Sequence, residues 1–204
     1  MDEACGRTRM AGCERREQLL DIALRLFSRN GFDGTTVRDI AAEANVTDGL
    51  IYRYFASKDE LLQEAITRAR RVMHAVYCEV DGSEDVVAAV TRVFISLTTG
   101  MRANMAFIDL LWNETTRGGS ATWAGEVLRG EMGAPAAALI DAYAAQGVLN
   151  VTDKALAVRI LMGLAFSCAC ANRIASDAEW QADLAAYAPF MARVFVDGTL
   201  DRAG

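Results

Sequence analysis

Two short amphipathic stretches stand three residues apart in this chain, and that spacing constrains the fold more than any other feature. In TTVRDIAAEA the apolar side is Ile40, Ala41 and Ala44; in DGLIYRYF it is Leu50, Ile51 and Phe55. Between them Asn45, Val46 and Thr47 leave room only for a tight turn, so the pair reads as a helix-turn-helix. Asn45 tolerates the left-handed backbone such a turn needs. Val46 is placed to plug the angle between the helices, and Thr47 to cap the second one. Thr36 with Asp39 and Ser57 with Glu60 have capping-box spacing, so a helix is expected to open at each.

The flanks continue in helical period. ERREQLLDIALRLFSRNGF sets Leu19, Ile22, Ala23, Leu26 and Phe27 on one stripe and stops at Asn30-Gly31, as a left-handed cap would. The helix from Ser57 carries Leu61, Leu62, Ala65, Ile66, Ala69 and Met73 towards Tyr77. Five more helical stretches follow. One has Ser83 as N-cap; one is NMAFIDLLWNETTR; one runs from Ser120, is interrupted around Gly133-Ala134-Pro135 and stops at Gly147. One starts at Thr152, and the last runs from Asp177 with a bend before Pro189. Alanine is frequent and alternating Val, Ile and Thr runs are nearly absent, so the fold class is all-α. The expected organisation is a disordered arm over 1–13, a helix-turn-helix domain over 14–60 and a second helical domain over 61–204.

Several function classes lose support. The five cysteines are odd in number and include no C-x-x-C pair or nearby histidine partner, so neither a disulfide framework nor a zinc site is expected. No cofactor is expected. MDEACGRTRM lacks the apolar core of a signal peptide, and the longest apolar run, Ile160 to Ala171, is shorter than a bilayer span. The expected location is therefore the cytoplasm, with no membrane partner. His74 is the one histidine, and no phosphate loop or H-E-x-x-H is present, which disfavours an enzyme.

Charge is unevenly spread. Residues 1–75 hold twelve basic and twelve acidic side chains, so the whole net charge of -6 lies in the remainder. The two regions are expected to do different electrostatic work. If Leu50, Ile51 and Phe55 face inward, Tyr52, Arg53 and Tyr54 lie wholly or partly outside. Such a helix fits a DNA major groove, with tyrosine hydroxyls and Lys58 donating to phosphates. The same pair also fits a packing motif with a solvated face. Arg7, Arg9, Arg15 and Arg16 could reach DNA as a basic arm, or form a solvated tail.

The stretch from Leu19 to Leu62 resembles the N-terminal DNA-binding domain of the TetR family of bacterial transcriptional repressors. The resemblance rests on A-x-x-L-F-x-x-x-G-F, T-T-V-x-x-I-A, G-x-x-Y-x-Y-F and S-K-x-E-L-L, all present here. Beyond it only Gly147-Val148-Leu149 echoes the usual pattern. The resemblance implies a homodimer whose N-terminal domain binds a double-stranded operator. It also implies that the C-terminal domain takes a small-molecule effector and releases the DNA. An activator or co-repressor-dependent regulator of the same fold is the alternative.

The resemblance also assigns residues. Thr36 and Arg38 match the start of the helix that touches the DNA backbone and sometimes a base. Thr47, Asp48 and Gly49 match the tip of the recognition helix, Tyr52 and Tyr54 its phosphate-contacting aromatics, and Lys58 a phosphate-holding lysine. Arg53 lies between the two tyrosines. Asn45 replaces a usual glycine, and Asp48 stands where lysine, glutamine or serine is typical. An acid there repels phosphates but can accept from a cytosine amino group.

In the second domain, large apolar residues with a few polar ones suit a pocket for an apolar or amphipathic effector. Phe94, Thr98, Met101, Met105, Ile108, Trp112, Asn113, Trp123 and Tyr143 are the candidate lining. Arg102, Asp109 and Glu114 are further polar candidates, and each of these residues also fits a core or surface place. Small residues in the last two stretches (Gly163, Ser167, Cys170 and Ala171; Ala185, Ala188 and Ala192) fit either a two-fold helical interface or an internal core.

Overall fold

The computed structural model describes residues 2–75, 77, 79–116 and 132–199, with residues 2–11 described by backbone alone. Among the described residues there are nine helices and no strand, in keeping with the all-α expectation. They are α1 Asp2–Asn30, α2 Val37–Glu43, α3 Asp48–Tyr54, α4 Lys58–Ala75, α5 Val86–Ala103, α6 Met105–Thr116, α7 Ala134–Ala145, α8 Lys154–Ala171 and α9 Asp177–Thr199. The chain divides into two units, Met1–Arg71 with Met105–Ala124, and Val72–Asn104 with Gly125–Gly204. This differs from one cut after residue 60, because α6 returns to pack on α1.

In the first unit α1 buries Leu19, Leu20, Ile22, Ala23, Leu24 and Phe27. It extends back to Asp2, so residues 2–13 continue the helix where a disordered arm was expected. The stretch contains no proline, and extending an established helix through Glu3, Ala4, Arg7, Arg9 and Met10 costs little. Gly31, at φ +80°, ends α1 by donating its N–H to the Phe27 carbonyl at 2.9 Å. Gly34 is required by space: a Cβ there would lie 2.5 Å from the Asn30 carbonyl oxygen.

α2 opens with the expected capping box. Thr36 Oγ1 accepts from the Asp39 N–H at 3.1 Å, and Asp39 Oδ2 accepts from the Thr36 N–H at 2.8 Å. It closes on Asn45 at φ +53°, with Asn45 N–H donating to Ala42 at 3.1 Å and Val46 N–H to Ala41 at 2.9 Å. Those two bonds satisfy carbonyls the helix end would leave bare. Thr47 does not cap α3 with its side chain. The first turn instead holds Asp48, whose charge suits the helix dipole. Ser57 Oγ accepts from the Glu60 N–H at 3.1 Å, while the Glu60 carboxylate accepts from Ala56 N–H and not from Ser57.

In the second unit α5 is central. Its buried Val90, Val93, Phe94, Leu97 and Met101 are covered by α7, α8 and α9, each of which packs on it. α5 is capped by Asp85, which accepts from Ala88 N–H at 3.0 Å, while Ser83 donates to Asp81 at 2.7 Å. α8 is likewise capped by Asp153, not Thr152, through Leu156 N–H at 3.0 Å. In both places a carboxylate is nearer the first turn than the hydroxyl, and the dipole favours it. α7 starts after Gly133 with Pro135 in its first turn. It ends on Gly147 at φ +70°, with Val148 N–H and Gly147 N–H donating back to Tyr143 and Ala144, each at 3.0 Å. The part of that stretch from Ser120 to Glu131 lies outside the described residues.

α9 runs unbroken through Pro189, where a bend was expected. Proline removes one N–H, and buried Leu184, Ala188, Met191, Ala192 and Phe195 hold the helix on either side. The apolar run from Ile160 proves to be part of a longer helix. By length and composition α5 and α8 could both cross a membrane, with mean hydropathy 1.3 and 1.6. Half of α5 is buried, as the core helix of its unit.

Candidate nucleic-acid interface

The helix-turn-helix separates its residues cleanly. Ile40, Ala41, Ile51 and Phe55 are buried, and Leu50 is half-buried. Thr36, Arg38, Thr47, Asp48, Gly49, Tyr52 and Arg53 are exposed, with Tyr52 at 56%. An apolar residue as large as tyrosine left this open marks a contact surface more than a packing one. Tyr54 is half-buried, and its hydroxyl lies beside α1, 3.9 Å from where a Cβ on Gly12 would stand.

The face carries a defined set of charges. Asp39 is held locally as a carboxylate: the Thr36 hydroxyl, then the Thr36 N–H, hold its carboxyl below the ordinary Asp range. Glu43 lies 3.9 Å from Arg25. Among the described residues, no hydrogen bond or ion pair takes up the Asp48 carboxylate. Lys58 departs most from expectation. Its ammonium donates to the Phe32 carbonyl at 2.9 Å and the Thr35 carbonyl at 3.1 Å, and sits 4.1 Å from the Phe32 ring centroid. Two of its three donors are thus spent inside the protein. Arg15 donates to Gln18 and Arg16 pairs with Glu64, which ties both to helical neighbours.

A family model described as "Bacterial regulatory proteins, tetR family" matches residues 19–65, which span this whole motif. Over those residues the chain carries a DNA-binding domain of the TetR family. It is 37% identical over 86 residues to the HTH-type nicotine-responsive transcriptional repressor HdnoR of Paenarthrobacter nicotinovorans, covering 42% of this chain and 44% of that one. It is 29% identical over 118 residues to the HTH-type transcriptional repressor KstR2 of Mycobacterium tuberculosis, covering 57% of each. The chain thus spans about half the length of the relatives it matches. Its fold matches the crystal structure of SCO3833, a TetR-family member from Streptomyces coelicolor, with TM-score 0.66 and 27% identity over 88% of this chain and 90% of that one.

The candidate effector residues fall into both units. Phe94, Thr98, Met101 and Tyr143 belong to the second unit, and Met105, Ile108, Trp112 and Asn113 to the first. Phe94, Thr98, Met101, Ile108 and Tyr143 are buried. Their polar atoms are already engaged: Thr98 Oγ1 donates to the Phe94 carbonyl, and the Tyr143 hydroxyl donates to the Glu84 carbonyl at 2.8 Å. Met105 is half-buried. Asn113 donates to the Ser28 carbonyl at 2.6 Å. Trp112 is 55% exposed, because Phe107, Ile108, Leu110 and Leu111 take the buried stripe of α6 and turn it outward. Trp123 lies outside the described residues.

Arg102 is structural. It donates to the carbonyls of Asn172 and Ala175, the latter at 2.8 Å, and stacks 5.0 Å from the Trp180 ring. His74 is exposed and edge-on to Tyr77.

The sequence reading missed one surface. Leu156 and Ile160 on α8 are each 48% exposed, and Phe190 and Val194 on α9 are 64% and 52% exposed. Both pairs have i, i+4 spacing on the side away from the core, and that second stripe was the available signal. Of the small residues singled out, Gly163, Ser167 and Ala171 are exposed, whereas Ala188 and Ala192 belong to the internal core.

Proposed function

We propose that this chain is a transcriptional repressor that binds a two-fold symmetric operator as a homodimer and lets go when a small apolar or amphipathic molecule binds. The observation that carries the reading is the outward ridge of α3, Tyr52 and Arg53, exposed together with Arg38 and the Thr47–Gly49 tip. A helix of this kind, held on a buried apolar back, presents donors to base edges and phosphates of a major groove. The names of two relatives as repressors support the sign of regulation. The name of one as nicotine-responsive supports a small-molecule effector. The second unit, with Phe94 and Met101 in its core, is the part that takes it up; methionine repacks readily around apolar ligands. A regulator acting on bacterial chromosomal DNA works in the cytoplasm.

Dimerisation is assigned to α8 and α9. Phe190 of the α9 stripe also lines a groove of about 490 Å³ with Ser167, Cys168, Asn172, Asp183 and Tyr187. A second copy related by a two-fold axis covers both stripes at once, and two half-sites need two recognition helices. Selection of bound sequences from random duplex DNA tests the proposal. The expected product is an inverted repeat with half-sites about 34–36 Å apart, or a multiple of that. Recovery of unenriched sequence overturns it.

A further inference from the structure

On α9, Glu179, Asp183, Ala186, Phe190, Arg193 and Asp197 follow one another at alternating steps of four and three residues. All of them are exposed. The other side of the helix holds Trp180, Leu184, Ala188, Met191 and Phe195 in the core. A stripe of this spacing left outside is the seam that a second helix takes up, at about 20° to the first. The stripe is also symmetric about the level of Ala188. Ala186 and Phe190 lie two residues either side of it, Asp183 and Arg193 five, and Glu179 and Asp197 nine. The inner pairs are complementary, small with large and acid with base. Among the described residues no hydrogen bond or ion pair takes up Asp183 or Arg193.

From this stripe we infer that α9 packs antiparallel on α9 of a second copy with its midpoint at Ala188, so that Asp183 meets the partner's Arg193 and Phe190 fills the space beside the partner's Ala186. The inference rests on the homodimer reading and adds to it the register and the charge pair that sets it. A two-fold axis makes each of these contacts twice. Sliding the second copy by seven residues keeps the seam but loses the match. One way sets Asp183 against the partner's Ala186; the other sets Ala186 against the partner's Asp197. Either slip desolvates a carboxylate with no counter-charge opposite it, which is costly. The charge pair thus selects one alignment and one partner, a chain with the same stripe.

The outer pair, Glu179 with the partner's Asp197, is like-charged. It lies nine residues from the midpoint, roughly 13–14 Å along the axis at about 1.5 Å per residue. Straight helices crossing at about 20° have begun to part there. The Glu179 carboxylate is also turned towards the start of its own helix, where it accepts from the Ser176 N–H at 2.8 Å and from the Ser176 hydroxyl at 2.7 Å.

The test exchanges the two charges in the full chain and follows dimerisation by sedimentation. Asp183→Arg sets guanidinium against guanidinium across the seam, and Arg193→Asp sets carboxylate against carboxylate. Each variant alone is expected to dimerise about tenfold more weakly or worse, with the helix content of the wild type, since both positions are exposed. Mixed together, the two are expected to recover wild-type affinity as a heterodimer, because every introduced charge then faces its opposite. A chain carrying both substitutions is expected to dimerise with itself and to exchange subunits with the wild type about tenfold less than the wild type does with itself. Single variants that dimerise like the wild type, or a mixture that does not recover, overturn this register and leave the homodimer reading standing. A wild type that sediments as a monomer overturns both.

Discussion

Asn113 donates its side-chain amide to the Ser28 carbonyl at 2.6 Å, joining α6 to the end of α1 across 85 residues of sequence. Ser28 is buried, and its own hydroxyl turns back to Arg25 at 2.8 Å, so the carbonyl depends on Asn113. Asn113→Leu leaves a buried acceptor unmet. A loss of about 1–3 kcal/mol is expected, or roughly 2–12 °C in melting temperature for a chain of this size. Thermal unfolding followed by circular dichroism checks it; an unchanged melting temperature means water replaces the amide.

Arg102 is expected to matter for its fork and not for its ion pair. Asp177, its acidic partner at 3.2 Å, is 99% exposed, so the attraction is screened. The bonds to Asn172 and Ala175 instead satisfy carbonyls where α8 ends, and the guanidinium covers Trp180. Arg102→Lys should therefore lose about 1–3 kcal/mol despite keeping its charge. Asp177→Ala should melt with the wild type. Equal effects of the two variants would falsify this division.

Phe190 is the test of the proposed dimer face. It is 64% exposed and borders the groove beside Tyr187. Phe190→Asp places a charge where a second copy would desolvate it, at a cost of several kcal/mol. Sedimentation is expected to show a monomer with unchanged helix content, and operator affinity should fall because each half-site binds alone. A dimer that survives the substitution moves the interface elsewhere.

The contrast between local and distant pairings explains what could be read from sequence. Asn45 and the Thr36–Asp39 box were legible because each acts within four residues, where spacing alone dictates geometry. The ends of α1 and α7 were legible for the same reason, through Gly31 and Gly147. The pairings of Lys58, Asn113 and Arg102 were not, since their partners lie 23 to 85 residues away and no local pattern encodes them. Near Ser83 and Thr152 a carboxylate, Asp85 or Asp153, takes the cap that hydroxyl spacing predicts, because the helix dipole favours the charged group.

The Thr36–Asp39 box makes α2 sensitive to acid. Hydrogen bonds from Thr36 depress the folded-state pKa of Asp39 below its unfolded value. A depressed carboxyl pKa contributes stability above the unfolded value, and the contribution is lost as pH falls through the folded one. Exchange at the first turn of α2, corrected for intrinsic rate, should stay slow at neutral pH and quicken through the acid carboxylate range. Asp39→Asn should exchange faster at neutral pH and lose that pH dependence. A pH profile shared by both proteins assigns the acid response to another group.

Asp48 is expected to choose a base. It begins α3, fully on the exposed face, beside a Thr47 hydroxyl that makes no cap bond. The other acids nearby are occupied: Asp39 by Thr36, and Glu43 by proximity to Arg25. In a groove lined by phosphates an uncompensated carboxylate opposes binding, so it is tolerated only where it accepts a hydrogen bond. The cytosine N4 amino group is the major-groove donor that suits it, whereas asparagine pairs with adenine N6 and N7. The wild-type protein should select cytosine at one position of each half-site, by about 1–3 kcal/mol over the other bases. Asp48→Asn should shift that position towards adenine and bind random duplex several-fold more tightly at fixed salt, because one like charge is gone. Competition among four operators differing only at that base pair measures both effects. An equal gain on all four shows that Asp48 only repels, and reads nothing.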